Sequence, residues 1–353
     1  MRLRVALVAA AFAAGADVVL LSGANLARAT DCSGIVSPCI DDDVLWPHAG
    51  PARFVSIGST ETVAEGRLGF GLAASYLSRP VVLHVKTPGG AGSDQNAVDN
   101  VVDGTFLWAY GVTEQLELDL AVPLTFYQDG AGLSPVTGGY GLNNTATRDV
   151  RFGFTYSIVP RYGLLPEHGR PDGFSLATRL EVSAPTGDRS QLAAERSGAF
   201  LPSTSADYRI GRFDVGAEVG ARVRPEVHLL GAEIGTQLVT ALGFGYDILP
   251  RSLLTATLEA WALPTFAGQN DLSVVNDVYT TTPNGRHIAP AEWQLAARTA
   301  PLRGGDLSIQ LGGGSSLPIT GEVLTQPRFR FTLGVRWAPA TRPAPSPTPT
   351  AKP

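Results

Sequence analysis

From about residue 65 onward the chain repeats one pattern: ten to fourteen residues in which apolar side chains alternate with polar or small ones, followed by a turn or loop. In EQLELDLAVPLTF, Leu116, Leu118, Leu120, Val122 and Leu124 share one phase, and Glu117, Asp119, Ala121 and Thr125 the other. A helix would put Leu116 and Leu118 on different faces, so the period is two and the segment reads as a strand. VRFGFTYSIV sets Phe152, Phe154 and Tyr156 against Arg151, Gly153 and Thr155. RFDVGAEVGARVR and RFRFTLGVRW repeat the pattern at 212–224 and 328–337. In all, the alternation predicts twelve strands, at 66–84, 101–111, 115–126, 149–160, 173–184, 203–210, 212–224, 237–248, 252–263, 291–300, 305–316 and 327–337.

The connections between them sort by parity. Tight or moderate turns are expected near 112–114, 161–172, 211, 249–251 and 301–304. The intervening connections, about 85–100, 127–148, 185–202, 225–236, 264–290 and 317–326, are mostly longer and rich in Gly, Ser, Thr, Asn, Asp and Pro. An even number of strands with alternating short and long connections is the plan of a bacterial outer-membrane barrel, with short turns and both chain ends in the periplasm. The expected fold is therefore all-β, a closed antiparallel transmembrane β-barrel of about twelve strands over residues 65–338. Closure is required in lipid because every backbone amide and carbonyl needs a partner there.

Alternation alone does not separate such a barrel from a secreted soluble sandwich, in which the same two faces are reversed. Three features favour the barrel. The presumptive inner phase is rich in Gly, including Gly69, Gly71, Gly153, Gly216, Gly220, Gly243, Gly245 and Gly334, which weakens a strand and needs an interior reason. Bulky aromatics stand near strand ends, as Phe126, Tyr127, Tyr246, Trp293 and Trp337 do, where an interfacial girdle belongs. Lys, the usual guard of an exposed soluble sheet, is scarce. The inner phase also carries charges of both signs. Arg67, Glu117, Asp119, Arg151, Arg179, Glu181 and Asp214 are candidate lumen-lining residues in the first half of the barrel. Glu218, Arg222, Glu259, Glu292, Arg298, Arg330 and Arg336 are those in the second. Such charges line a water-filled bore or pair across it and close it.

Composition agrees with this picture. Hydrophobic residues make 44% of the 353 and charged ones only 17%, below the roughly 25% of an ordinary soluble domain. The mean hydropathy of +0.08 excludes a helical transporter, and the formal charge of -5 offers no basic field for nucleic acid. Residues 1–29 read as a secretory signal peptide: Arg2 and Arg4, an apolar stretch, then Ala27-Arg28-Ala29. Residues 30–64 are expected to be a periplasmic lead, in which Cys32 and Cys39, the only cysteines, form a disulfide. Asp41-Asp42-Asp43 reads as a solvated acidic run rather than a calcium site. The five His (His48, His84, His168, His228, His287) lie outside strand centres, and no spacing joins one to a nucleophile. GGGSS at 312–316 lacks the Lys and helix of a phosphate loop. No catalytic residue, metal site or cofactor is expected. The tail 339–353 is Pro-rich and extended, expected to be disordered, and could meet peptidoglycan or a periplasmic partner. Lipid, lipopolysaccharide and the barrel-assembly machinery are the other expected partners.

TFLWAYGVTEQLELDLAVPLTF, residues 105–126, resembles the strand–turn–strand unit of the meta-pathway phenol-degradation-like outer-membrane family. It also resembles the barrel portion of myxobacterial proteins related to outer-membrane protein A, and FSLATRLEVSAPTGD at 174–188 is similar to the same group. The resemblance covers about residues 65–338 and implies a barrel in the outer membrane of a Gram-negative bacterium; it implies no substrate. The expected function is an outer-membrane channel or transporter for small solutes, apolar ones among them. The alternative is a structural or surface-interaction protein, with a lumen sealed by paired charges or by residues 30–64 folding inside. An enzyme is third and would need a Ser or an Asp/Glu to meet a His near the outer rim.

Overall fold

The computed structural model describes residues 32–85, 92–139, 141–161, 172–275, 278–302, 306–320 and 323–339. The expected signal peptide, most of the tail and the turn with His168 lie outside these residues. Alternation yields twelve long strands: β1 (Leu68–Val85), β2 (Ser93–Gly111), β3 (Leu116–Asp129), β4 (Arg151–Val159), β5 (Gly173–Ser183) and β6 (Phe200–Ile210). β7 (Phe213–Arg222), β8 (Gln237–Leu249), β9 (Leu254–Ala262), β10 (Ala291–Leu302), β11 (Leu307–Ser316) and β12 (Phe329–Trp337) complete the set. Each pairs antiparallel with its sequence neighbour, and β1 pairs with β12 from Phe70↔Trp337 to Ser78↔Phe329, closing the sheet. No edge is left to solvate, which is the condition for a sheet in hydrocarbon.

The two phases of the strands have opposite environments. Leu242 and Leu311 are 58% and 64% exposed, whereas Glu117 and Glu259 are completely buried. Phe152, Phe154, Val219, Phe244, Leu295 and Phe331 join the exposed set. A water-soluble sheet would be arranged the other way round; an outward apolar band on a closed sheet is the arrangement of a transmembrane barrel. The aromatics expected at strand ends are on this outer face. Both Phe126 and Tyr127 point out, although adjacent, because the β2–β3 ladder slips between Val102↔Tyr127 and Asp103↔Thr125 and leaves Phe126 as the extra residue of a bulge.

Strand boundaries differ from expectation mainly in β2, which starts at Ser93 rather than near 101. SDQNAVDN has the composition of a loop, yet it pairs residue by residue with the upper part of β1, down to Val85↔Ser93. From Leu77↔Val101, just before the bulge at Ser78/Val81, the polarity of this hairpin inverts. Leu77, Val81, Leu83, Ala97, Val98 and Val101 are buried in an apolar cluster with the Cys32–Cys39 disulfide and residues from the other long connections: Leu133, Leu192, Leu229, Leu272 and Leu324. All six long connections therefore contribute to a cap over one mouth of the barrel. The two ladders within the loops, Val227–Leu229 with Ala232–Ile234 and Asn270–Val275 with Val278–Pro283, stiffen it.

The lead is the largest departure from expectation. It does not stand in the periplasm. Val36 bridges Leu229 and Asp41 bridges Ala193, both at the loop end; Ala64 N–H donates to Pro339 O, and Glu65 bridges Gly111, at the turn end. Between these points the chain threads the barrel lengthwise. It has no secondary structure of its own, so its buried amides and carbonyls need other partners, and the polar wall supplies them.

Candidate functional site

The bore is defined by the inward charges and by what occupies them. Of the lumen candidates, Glu117 and Asp119 on β3, Arg151 on β4, Arg179 and Glu181 on β5, and Asp214, Glu218 and Arg222 on β7 are all buried. So are Glu259 on β9, Glu292 and Arg298 on β10, and Arg330 and Arg336 on β12. Arg67 is the correction: it is exposed at the turn end, because Gly66 at φ +69 swings the chain before the β1 ladder begins.

Wall carboxylates accept from the lead's backbone. Val55 N–H and Ser56 N–H both donate to Glu259 Oε2 at 2.9 Å, Gly58 N–H to Glu218 Oε2 at 2.6 Å, and Val63 N–H to Glu117. Wall guanidinium groups donate to its carbonyls, Arg222 to Val44 O at 3.0 Å and Arg151 to Pro47 O at 3.2 Å. His48 Nδ1 lies 2.8 Å from Glu181 Oε2, and its Nε2 lies 3.6 Å from Glu218 Oε1. Two cations lie over the indole of Trp46, with the guanidinium carbon of Arg222 4.1 Å and that of Arg151 4.7 Å from the ring centroid.

Toward the loop end the acidic run of the lead is buried and paired. Asp43 takes a two-pronged contact from Arg330 at 2.8 and 3.1 Å, and Arg330 is also bound to Glu292 at 2.7 Å. Arg148 contacts Asp41, Asp42 and Asp103 together. Asp41–Asp43 is thus no solvated run. Burial raises the Asp41 carboxyl to about 7 against the pull of Arg148, and burial likewise raises Asp149 to about 6. Burial also opposes ionisation of Asp43, but Arg330 outweighs it and holds that carboxyl below its ordinary range. Toward the turn end, Arg53 of the lead pairs with Asp214, which Arg209 also contacts at 3.0 Å while bonding Asp247 at 2.6 Å.

Two of the inward glycines find their reason here. A Cβ on Gly216 or Gly243 would come within 2.7 or 2.8 Å of the Phe54 ring, so the two form a hollow in the wall that receives it. Phe54 then packs with Val44, Leu45, Val55, Ile57, Ala241 and Trp261 in an apolar cluster inside the polar bore. What is left open is small. A gap between the lead and the wall of β1–β4, β11 and β12 holds about 40 Å³, room for roughly three waters at ~10–15 Å³ each. The bore is filled in this state.

The pattern of the strands identified the wall but not its occupant, which entered only in the alternative reading with residues 30–64 folding inside. Trp46, His48, Asp41–Asp43 and Arg53 are in a segment with no period-two signal, and Arg148 precedes a strand. The glycine-rich inner phase was the one available hint that something had to fit against it. His–carboxylate pairs do occur at the loop end, His84 with Asp94 at 2.7 Å and His228 with Glu233 at 3.2 Å; both imidazoles are exposed.

No family model matches the chain, and no curated protein matches it by sequence. Among solved structures it is similar to the COG4313 outer membrane channel from Pseudomonas putida F1, with a TM-score of 0.54 and 12% identity over 80% of this chain and 99% of that one. The NanC porin follows at a TM-score of 0.42, 9% identity, 76% of this chain and 98% of that one. A Pseudomonas aeruginosa FadL homologue has a TM-score of 0.36 and 11% identity, over 84% and 99%. At such identities the shared property is the fold, a closed barrel of the kind found among outer-membrane channels.

Proposed function

We propose that the protein is a passive outer-membrane channel for small solutes, present here in its closed state with residues 32–64 as the closing element. One observation carries the reading: the wall does not close the bore by itself. Its inner phase is small where the lead is bulky, as at Gly216 and Gly243 beneath Phe54. Most of its charged groups are satisfied by the lead's backbone and acids rather than by each other. Those bonds are to groups that water or a solute could replace, so withdrawal of the lead would leave a hydrated, charged bore. The likeness to an outer-membrane channel and the outward apolar band support the same placement. The charged lining favours polar or ionised solutes over the apolar ones that sequence alone left open.

A second reading has an observation of its own. A structural barrel was expected to have a lumen sealed by paired charges or by the lead, and both features are present. Planar-bilayer recording separates the two. Wild-type protein is expected to conduct in rare openings, and the triple variant Asp43→Ala, Glu181→Gln, Glu259→Gln, which releases the lead at three heights, to conduct persistently. Equal silence from both folded proteins would overturn the channel reading and leave the structural one.

A further inference from the structure

We propose that the slot occupied by Trp46 is a binding site for an aromatic carboxylate, with the lead's indole as its resident surrogate. Two guanidinium groups lie over the ring in this slot, and apolar side chains surround it. Arg222 and Arg151 stand 4.1 and 4.7 Å from the ring centroid, and Ala199, Leu201 and Val239 pack around the ring. Two positive groups over the ring suit an electron-rich planar ring, because the face of an aromatic carries the negative part of its quadrupole.

The two arginines are also short of anions. Arg222 has no carboxylate within 4.0 Å among the described residues; its guanidinium donates to Val44 O, and its Nε has no hydrogen-bond partner. The nearest carboxylate oxygen to Arg151 is that of Glu181 at 3.9 Å, and its Nη1 has no hydrogen-bond partner either. Both side chains are more than nine-tenths buried. Buried guanidinium groups normally take paired, hydrogen-bonded anions. Trp46 fills the π side of this site and leaves the anion side unfilled. A ring bearing a carboxylate would fill both.

Access exists, because Trp46 and Arg151 line the residual gap beside the lead. Removing the indole would merge its slot with that gap. The consequence for transport, a preference for aromatic acids once the lead withdraws, rests on the channel reading above; the site itself does not.

The test measures binding rather than flux. Full-length Trp46→Ala, refolded in detergent and verified by heat-modifiable mobility, is titrated with indole-3-carboxylate and with neutral 3-methylindole. Calorimetry is expected to show the acid binding at least tenfold tighter than the neutral ring, with no binding by wild type. Adding Arg222→Gln to the variant is expected to abolish the difference. Should Trp46→Ala not fold, Trp46→Leu keeps an apolar anchor on Ala199 and Leu201, and benzoate against toluene gives the same comparison. Equal affinity for acid and neutral ring, or a preference indifferent to Arg222→Gln, would overturn the assignment and leave only an apolar hole. A variant that binds the acid but passes no current upholds the site and counts against the channel; one that conducts without preferring the acid does the reverse.

Discussion

Two regions of this barrel obey opposite rules. In the middle of the strands, apolar side chains face out and charges face in, as at Leu242 and Glu259. In the cap, at the upper end of the β1–β2 hairpin, Leu83 and Val98 face in and the His84 and Asp94 side chains face out. The switch begins at Leu77↔Val101, next to the bulge at Ser78/Val81, where Arg79 has φ +50. The difference follows from the surrounding solvent. Hydrocarbon surrounds the middle and gives no reason to hide an apolar side chain, while water surrounds the cap and does. The cap therefore holds itself together with a conventional apolar core, and the middle must hold its contents with hydrogen bonds and ion pairs.

That contrast can be broken at its strongest point first. Asp43→Ala leaves Arg330 buried with only Glu292 as an acidic partner, and breaking a buried pair typically costs about 3–5 kcal/mol; equilibrium refolding into vesicles is expected to show a loss of that order, with the lead loosened. A charge in the band comes next. Leu242→Arg, on the lipid face near the middle of β8, is expected to cost about 2–4 kcal/mol in the same assay. Enlargement then separates the regions directly. Leu229→Phe overfills the cap core, where Leu229 is 1% exposed, and is expected to cost ~1–3 kcal/mol. Leu242→Phe should be near neutral, because fluid lipid has no fixed packing to violate. Equal costs for the two would mean that the band is not in contact with lipid.

The smallest effect is a pH dependence. Asp41 at about 7 and Asp149 at about 6 keep protons that the unfolded chain releases near its ordinary carboxyl value. The native state therefore binds more protons across that window, and stability falls as pH rises through it. Thermal unfolding at pH 5 and pH 8 is expected to show a modestly lower midpoint at pH 8, and Asp41→Asn should reduce the difference. A higher midpoint at pH 8 in wild type would contradict the burial of these two groups.

Much of the wall was legible because a strand's facing is a local property: Glu117 and Asp119 alternate with Leu116 and Leu118, and the pleat does the rest. Arg67 failed by the same logic, since it lies one residue before the ladder that would have fixed its direction. Ser93–Asn100 looked like a loop by composition and became strand only because β1 was there to pair with it.

The sequence by itself determined the number of strands, their order and the closure of the sheet, and within the strands the alternation of facing, because a period of two needs only near neighbours to be read. Tertiary structure alone decided what the bore contains. The polar, irregular residues 32–64 suit water and suit a lumen lined with carboxylates and guanidinium groups equally well, and no local pattern distinguishes the two. Their placement depends on contacts such as Asp43 with Arg330 and Ser56 with Glu259, some two to three hundred residues apart in sequence, which exist only once the barrel has closed around them.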